Sequence, residues 1–443
     1  MTIEEILAMP EVERKIYYLK KGRKTEQPNA HALYNDWNPN KHEIVIDEEK
    51  YPKIKITTQP EKRITDPTTG KEYVEPAVKK EVDPNRIALP IEQDIVNIQT
   101  AFTVGTEPIL DCQPDQPEET LLSALKQVFK KNKLKYQNKK IVRAWLAEQE
   151  VAEYWYVVRD DGFWAKLKRK ISGIFGKSKP EYRLKSAIWS PFRGDKLYPF
   201  FNDQGDLVAL SREYQKKDLN DVEITCFMTI TKDMVYQWEL TSNWTDKGSF
   251  AHGFKKMPVI YMYRPEAYCE KIKSLRVRLE KLLSNYADCI DYHFFPILML
   301  FGNVENFSGE FKNRVVELTG QGANAQYLTW SQVPDTVKFE VETLLSQIYG
   351  LTNTPRISFD SLKGTGNAVS GVTFDYVFMS THLNVENLNE TVGEFMQRRV
   401  NFLVSALGSV NSTLEEASET IDVDVQMLSL IHISEPTRPL YIS

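Results

Sequence analysis

The sequence predicts an α+β protein built from more than one domain. Its 443 residues exceed the roughly 250 to 300 that a single hydrophobic core usually supports. Residues 183–263 contain apolar and alternating runs between turns rich in Gly, Asp and Asn, a pattern typical of β-strands. Residues 266–294 and 368–408 instead repeat apolar side chains at steps of three and four, which indicates long amphipathic helices.

The first 84 residues are predicted to form an N-terminal arm. Thr2 and Glu5 have the spacing of a capping box, and the apolar positions after them predict a short amphipathic helix ending at Gly22. Residues 28–84 are rich in Pro, Lys, Thr and Glu. Because short alternating runs, IVI at 44–46 and YPKIKITT at 51–58, accompany the turn DPTTG, we expect one or two edge hairpins here.

Residues 85–265 are predicted to begin with helices and to continue as strands. Apolar residues at near-helical spacing indicate a buried helix that ends at Gly105. Two more helices are predicted over residues 118–131 and 139–152, the first with acids early and lysines late, as the helix macrodipole prefers. The second is expected to run into a strand at WYVV, residues 155–158.

The remaining chain is predicted to be mainly helical. Long helices are expected over residues 266–294 and 335–350, with a mixed, Gly-containing segment at 295–334 between them. A polar loop follows at 351–367. The helix predicted for residues 368–408 would be about 60 Å long at 1.5 Å per residue.

Composition argues against several classes of function. The 56 basic and 61 acidic residues give a net charge of −5, so any contact with nucleic acid is expected to be local or weak. No stretch approaches the ~20 consecutive apolar residues of a membrane-spanning helix, and the N-terminus lacks the pattern of a secretory signal. The four cysteines form no CxxC pair and have no matching His spacing for a zinc site.

Motifs for catalysis and cofactor binding are incomplete. GKS at 176–178 lacks the first glycine and the preceding strand of a P-loop, and GTG at 364–366 lacks the third glycine of a dinucleotide site. Asp288, Asp291 and His293 could in principle present a metal site, although a solvated helix face is the favoured interpretation. We therefore expect no enzyme, no catalytic residue, no metal and no cofactor.

A basic segment at residues 163–183 is unusual in its charge. FWAKLKRKISGIFGKSKPEYR holds seven basic residues against one acid, and its apolar residues could share one face of a helix. Three interpretations of this predicted basic helix stay open: docking on its own domain, contact with DNA or an acidic partner, and membrane-surface binding. Its candidate contact residues are Lys166, Lys168, Arg169 and Lys170.

Five segments follow one another over roughly residues 85–410. They are NRIALPIEQDIVNIQTAFTVGTEPI at 85–109, SAIWSPFRGDKLYPFFNDQGDLVAL at 186–210, HGFKKMPVIYM at 252–262, the long helix after Pro265, and IYGLTNTPRISFDSLKGTGNAVSGVTFDYVF at 348–378. In this order they resemble the portal proteins of tailed double-stranded-DNA bacteriophages. The last segment is the most specific, because the family has a stem helix, a proline-containing loop and an Asn/Ser-Ser-Gly element before a long helix. Pro355, Asn367, Ser370 and Gly371 match that pattern, whereas residues 372–374 depart from it.

The resemblance implies a portal fold with an α/β wing, long stem helices, a clip, a tunnel loop and a helical crown. About twelve subunits would form a ring at one vertex of the capsid, assembled in the host cytoplasm, through whose channel DNA is packaged and later ejected. Twelve copies of −5 give −60, which disfavours tight adhesion of DNA. The implied parts are the N-terminal arm 1–84, the first part of the wing 85–265, the stem helices 266–294 and 335–350, the clip 295–334, the tunnel loop 351–367, the long wing helix 368–408 and the start of a truncated crown 409–427.

The resemblance also implies which residues meet DNA and partner proteins. Lys363 is the best candidate for a transient phosphate contact, although a loop that only seals subunit contacts is the alternative. The clip would dock the large terminase subunit and a head-completion adaptor, and the basic wing helix would face packaged DNA or an acidic scaffolding or major capsid protein. The tunnel-loop residues are Arg356, Ser358, Asp360, Ser361, Lys363 and Thr365. The clip residues are Asn303, Glu305, Asn306, Glu310 and Lys312.

Residues 428–443 are predicted to be foreign to the folded protein. LSLIHISEPTR at 428–438 matches the translation of a sequencing-library adapter, so the crown is expected to continue beyond Met427 with other residues. A genuine C-terminal strand is the alternative. Three other functions stay open for the whole chain: another ring-forming head-completion or neck protein, an enzyme of unrecognised type, and a stand-alone DNA-binding protein with steep salt dependence.

Overall fold

The computed structural model describes residues 1–59, 62–65, 72–159, 182–217, 221–293, 297–307, 316–328, 334–356 and 371–427. Helices and strands both occur throughout these ranges, which confirms the mixed α+β class. No helix within them is long and apolar enough to cross a membrane. The chain divides into two compact units: unit 1 comprises Met1–Trp37, Glu92–Lys271 and Thr352–Ser443, and unit 2 comprises Asn38–Ile91 and Ile272–Leu351.

The helices and strands are numbered in chain order. The helices are α1 (Ile3–Leu7), α2 (Val12–Lys21), α3 (Ala30–Trp37), α4 (Glu43–Ile46), α5 (Ile91–Val104), α6 (Gln116–Asn132), α7 (Leu134–Glu148), α8 (Lys273–His293), α9 (Pro334–Leu351), α10 (Gly371–Val410) and α11 (Glu415–Thr420). The strands are β1 (Ile54–Gln59), β2 (Lys62–Thr65), β3 (Glu72–Glu75), β4 (Val78–Val82), β5 (Ile109–Asp111), β6 (Glu150–Arg159), β7 (Tyr182–Trp189), β8 (Lys196–Phe201), β9 (Leu207–Lys217), β10 (Glu223–Thr231), β11 (Met234–Leu240), β12 (Trp244–Ala251), β13 (Val259–Tyr263), β14 (Ile297–Phe307), β15 (Val316–Leu328) and β16 (Asp424–Gln426).

Unit 1 contains a five-stranded antiparallel meander in the order β12-β11-β10-β9-β8. Strand β10 carries apolar residues on both faces. Successive side chains of a strand point to opposite sides of the sheet, so neighbouring residues pack in different clusters. Phe227 packs in a cluster with Ile6 and Leu19 of the N-terminal helices, whereas the next residue, Met228, packs in a cluster with Trp189. The N-terminal helices and a second sheet thus cover opposite faces of the meander.

That second sheet of unit 1 has three antiparallel strands in the order β13-β6-β7. One of its faces joins the meander core through Ala152 and Tyr261. Helix α10 contacts the sheet as well, since the Phe402 ring lies 6.4 Å from that of Trp155, and the Arg399 guanidinium Nε lies 2.6 Å from Glu153 Oε2. A helix of 40 residues therefore packs against the sheet core through both apolar and charged side chains.

The last described residues of unit 1 also pack against its helices. Helix α11 contacts α6 and α10, and β16 pairs antiparallel with β5. Leu414, Ala417 and Val423 are buried. Residues 409–427, predicted as the start of a crown, are thus part of the compact unit, and residues 428–443 lie outside the described residues.

Unit 2 combines the helices α8 and α9 with hairpins. The two helices contact each other, and Arg278 Nη2 lies 2.7 Å from Glu340 Oε1 between them. β14 and β15 form an antiparallel pair, as do β1 with β4 and β2 with β3. The hairpins predicted for the N-terminal arm are therefore present, and the mixed segment at 295–334 contains two long strands.

Several expected boundaries were wrong. The first predicted helix is two helices, since Pro10 follows α1 and cannot supply the backbone N–H that a continuing helix needs. IVI at 44–46 belongs to helix α4 rather than to a strand. The helix predicted to reach residue 152 ends at Glu148, because Gln149 has a φ of +72° and β6 begins directly after it. Arg183, placed at the end of the basic helix, lies in β7.

Candidate functional site

Most of the predicted contact residues lie outside the described residues. These are Ser358, Asp360, Ser361, Lys363 and Thr365 of the tunnel loop, Lys166, Lys168, Arg169 and Lys170 of the basic wing helix, and Glu310 and Lys312 of the clip. Arg356 is described and exposed, at the point where the chain enters the predicted loop. The structure therefore describes the residues on either side of the predicted loop and not the residues of its tip.

A buried amide on α5 holds the chain that leads into this loop. Gln99 is fully buried, and its Nε2 lies 3.1 Å from the carbonyl oxygen of Thr352 and 3.2 Å from that of Asn353. The same nitrogen lies 2.9 Å from Thr354 Oγ1. Since an amide carries two N–H groups, these three acceptors share two hydrogens. One side chain thus fixes three consecutive residues.

A tyrosine and an asparagine complete this arrangement. Tyr268 Oη donates to the carbonyl oxygen of Thr352 at 2.6 Å. Asn384 Nδ2 donates to Gln99 Oε1 and to Tyr268 Oη, each at 2.9 Å. Burial raises the pKa of Tyr268 to about 12, so the phenol stays neutral and keeps its proton for this bond. The donors of Gln99, Tyr268 and Asn384 each have an acceptor, as buried donors require.

The network also contacts the helix on the far side of the loop. Thr381 Oγ1, on α10, donates to the carbonyl oxygen of Asn353 at 2.8 Å. We call Gln99, Tyr268, Thr381 and Asn384, with residues 352–354, the loop anchor. It binds the chain just before residue 355 and again at residues 381–384. Both ends of the intervening segment are therefore tied to one buried cluster in unit 1.

The backbone within the loop anchor takes an uncommon conformation. Asn353 has a φ of +47°, in the left-handed region that asparagine enters more readily than most residues. Thr352 is fully buried and Thr354 nearly so, which leaves the turn little freedom. The chain is thus turned at a defined residue two positions before Pro355.

Sequence reasoning did not identify the loop anchor. Gln99 interrupts the apolar face of the predicted helix that ends at Gly105, and Asn384 does the same in α10. A polar residue at a buried helical position is a usable signal, because it requires a partner. The partners, however, come from segments more than 80 residues apart in the chain.

Three residues predicted for the clip lie in an irregular hairpin of unit 2 formed by β14 and β15. Asn303 is paired with Thr319 and Asn306 with Glu317, while Glu305 is the extra residue where the register shifts. A second irregularity lies between Phe301 and Asn303. Because bulges interrupt regular pairing, β14 and β15 do not form a regular ladder over these residues.

Two of the three residues considered as a possible metal site on α8 accept hydrogen bonds from a neighbouring segment. Asn85 Nδ2 donates to Asp288 Oδ1 at 3.0 Å and to Asp291 Oδ2 at 2.6 Å. One and two helical turns earlier, Ser284 Oγ and Glu280 Oε1 each accept a backbone N–H, from Ile87 and Leu89 respectively, at 2.9 Å. These acceptors bind residues 85–89 along the helix. No group of three potential metal ligands occurs among the described residues.

Glu280 also belongs to a buried charged cluster. His42 Nδ1 lies 2.6 Å from Glu280 Oε1, and Arg276 Nη1 lies 3.2 Å from Glu280 Oε2. All three side chains are almost completely buried. This cluster fixes the short segment around α4 to α8 within unit 2.

Comparison with known proteins identifies the wider family. A family model described as "Phage portal protein, SPP1 Gp6-like" matches residues 40–433 of the chain. The match includes the loop anchor, the β14–β15 hairpin and the segment bound along α8. No curated protein matches the chain.

Proposed function

The chain belongs to the phage portal protein family, and we propose that it forms the ring-shaped channel at one capsid vertex through which viral double-stranded DNA is packaged and ejected. The observation that carries this proposal is the match over residues 40–433, which includes nearly all of unit 2 and unit 1 from Glu92 to residue 433. We propose a ring of twelve subunits, a structural rather than catalytic function, and residence in the virion after assembly in the host cytoplasm. The match to portal proteins favours this function over a head-completion or neck protein.

We assign the parts of the portal to the chain as follows. Helices α8 and α9 act as the stem and the β14–β15 hairpin as the clip, since a hairpin between two long helices suits a projecting end of a tube. The sheets of unit 1 with α5 to α7 form the wing, and α10 is the long wing helix. The segment after the loop anchor is the tunnel loop.

The loop anchor supports the assignment of the tunnel loop. A segment that touches moving DNA needs both ends fixed, because otherwise contact would displace the loop rather than hold it at the channel. We propose that Arg356, Ser358, Asp360, Ser361, Lys363 and Thr365 approach the DNA backbone and make transient, sequence-independent contacts. Replacing Lys363 with Ser should reduce the genome length packaged, while Lys256→Ser, at an exposed lysine in unit 1, is the control.

Partner binding is proposed for two further surfaces. Asn303, Glu305, Asn306, Glu310 and Lys312 of the clip would dock the large terminase subunit and later a head-completion adaptor. Lys166, Lys168, Arg169 and Lys170 would contact packaged DNA or an acidic scaffolding or major capsid protein. Changing these four basic residues to Ser should lower particle yield or genome length, and unchanged values would contradict this assignment.

Ring formation is the direct test of the proposed function. Negative-stain microscopy and light scattering should show rings with a central hole and a mass near twelve copies of 51.3 kDa, or about 616 kDa. A variant ending at Met427 tests whether residues 428–443 are dispensable for the ring. The proposal would be refuted if the full chain and the variant ending at Met427 both formed a stable small dimer at every protein and salt concentration.

A further inference from the structure

Helices α6 and α7 carry a second concentration of positive charge, separate from the basic segment at residues 163–183. No acidic residue occurs from residue 120 to residue 147, although acids outnumber bases in the whole chain. We call these two helices the basic hairpin. Its basic residues are Lys126, Lys130, Lys131, Lys133, Lys135, Lys139, Lys140 and Arg143.

The charges of the basic hairpin lie on its outer surface. Leu121 and Leu125 of α6 are fully buried and fix which face of the helix points inward. Lys126, Lys130 and Lys133 follow at steps of four and three, so they form one exposed row along the helix. The burial of Leu121 and Leu125 therefore determines which side of α6 carries the lysine row.

This row borders a groove of about 760 Å³. Lys126, Lys130, Lys133 and Lys135 line it together with Phe129 and Tyr136, and Glu107 is its one acidic lining residue. A second groove of about 220 Å³ is lined by Lys131 on the same helix and by Arg183 and Lys185 on β7. The positive surface thus extends across two separate grooves of unit 1.

The lysines of the basic hairpin lack the ion pairs found elsewhere in unit 1. Lys20 lies 2.5 Å from Glu213 and Lys255 lies 2.8 Å from Glu415. By contrast, within the described ranges, no carboxylate oxygen lies within 4.0 Å of any of the eight basic groups. Arg143 instead donates to Asn97 Oδ1 at 2.8 Å. The charge of the lysines is therefore open to an external anion.

The turn of the basic hairpin adds an independent observation. Lys133 joins the two helices in the left-handed conformation, with φ of +53° and ψ of +46°. Glycine is the usual residue at such a helix end, because the Cβ of any other residue strains the left-handed conformation. Lys133 thus places a charged side chain at the rim of the groove, although glycine would adopt this backbone conformation with less strain.

We propose that the basic hairpin binds the sugar-phosphate backbone of double-stranded DNA outside the ring channel, without reading sequence. Phosphates along a duplex form a continuous line of charge, which matches a positive surface that spans two grooves better than an acidic peptide seated in one of them. Lysine carries a compact positive charge that suits contact with phosphates, and such contacts do not read the base sequence. This inference does not depend on the tunnel loop or on the ring number.

A covalently closed plasmid tests the inference, because a closed circle cannot thread a closed ring. Binding of the full chain to relaxed plasmid is measured by filter retention against salt concentration. The test variant carries Lys126→Gln, Lys130→Gln, Lys133→Asn and Lys135→Gln, which suit a helix or a left-handed residue. The control replaces four exposed lysines elsewhere, Lys79, Lys80, Lys232 and Lys256, with Gln.

The basic hairpin variant should lose most of its plasmid binding. Each lost phosphate contact lowers the slope of log K against log salt by about 0.9, so the slope should fall by about 3 to 4. The control, and a variant with arginine at the same four positions, should bind as wild type. Equal plasmid binding by the four-substitution test variant and wild type would overturn the inference. Binding of poly-glutamate but not of plasmid by the wild-type protein would also overturn it. Ring formation, measured on the same samples, separates these failures from failure of the proposed function.

Discussion

Replacing Gln99 with Met should loosen the loop anchor while leaving the fold intact. Methionine has a similar length and volume, so it fills the space that the glutamine occupies. It offers neither the N–H donors that reach residues 352–354 nor the oxygen that accepts from Asn384. The change therefore isolates the hydrogen bonds of one side chain from its packing.

The expected loss follows from the contacts that remain. Thr352 O keeps the hydrogen bond from Tyr268, and Asn353 O keeps that from Thr381, so no backbone carbonyl is left without a donor. The cost is then that of a few neutral hydrogen bonds at about 0.5 to 1.5 kcal/mol each, or about 2 to 4 kcal/mol in all. Since 1.4 kcal/mol is tenfold, local opening should become about 30 to 1000 times more frequent.

Hydrogen exchange measured by mass spectrometry reports this opening directly. Peptides covering residues 350–356 and 378–386 should exchange faster in Gln99→Met than in wild type, and peptides from the meander should not. Gln127→Met, at an exposed position on α6, is the matched control and should change neither region. Wild-type exchange at both anchor peptides would show that the hydrogen bonds of Gln99 do not hold the loop.

Three further predictions concern stability, each measured as a change in melting temperature. Arg399→Met should lower the unfolding free energy by about 3 to 5 kcal/mol, because it leaves the buried carboxylate of Glu153 without its cation. Asn353→Gly should raise the melting temperature slightly, since glycine adopts a φ of +47° at no steric cost. Glu148→Gln should stabilise the protein at pH 8 but hardly at pH 5, because burial raises the pKa of Glu148 to about 7.

The sign of the pH effect follows from proton linkage. The carboxyl group of Glu148 holds its proton more tightly in the folded chain, so wild type loses stability as pH rises from about 4.5 through about 7. Glutamine has no charge to bury and still offers an oxygen to the backbone N–H of Phe192, which lies 2.7 Å from Glu148 Oε2. An equal shift in melting temperature at pH 5 and pH 8 would contradict this account.

Paired variants control the other two predictions. Replacing both Arg399 and Glu153 with Met should recover part of the lost stability, because no unpaired charge is then buried. A double variant as unstable as the single one would argue against an electrostatic cause. Asn353→Ala should lower the melting temperature, since alanine tolerates the left-handed conformation poorly. Stabilisation by both alanine and glycine would mean that the backbone conformation is not the cause.

Elements with a long repeat could be predicted from the sequence, and short ones could not. Helix α8 follows from apolar residues at steps of three and four over more than five turns, so its presence and its end were expected, although it begins at Lys273 and not at the predicted residue 266. IVI at 44–46 fits a strand and a helical turn equally, and the burial of Ile44 in the helical turn depends on contacts within unit 2 that this local pattern does not show. The end of α7 depends on Gln149, whose left-handed φ has no signature in its residue type.

Site prediction had a different limit. The tunnel-loop residues came from resemblance to a family and stay a prediction, whereas the loop anchor depends on pairings such as Gln99 with Thr352 that local patterns do not show. The lysines of α6 were explained by the helix macrodipole, a local account that hid their place in a larger positive surface. A lysine whose position is explained by its own helix can therefore also belong to a larger binding surface.

The two attachments of α10 give this helix a mechanical property. Thr381 and Asn384 hold it at the loop anchor, and Arg399 holds it to β6 fifteen residues later, or about 22 Å along its axis. A rod pinned at two such points resists both rotation about its axis and sliding along it. Force applied at the loop anchor is thus carried along the helix to the sheet, where the Arg399–Glu153 ion pair and the contact of Phe402 with Trp155 both oppose displacement of the helix.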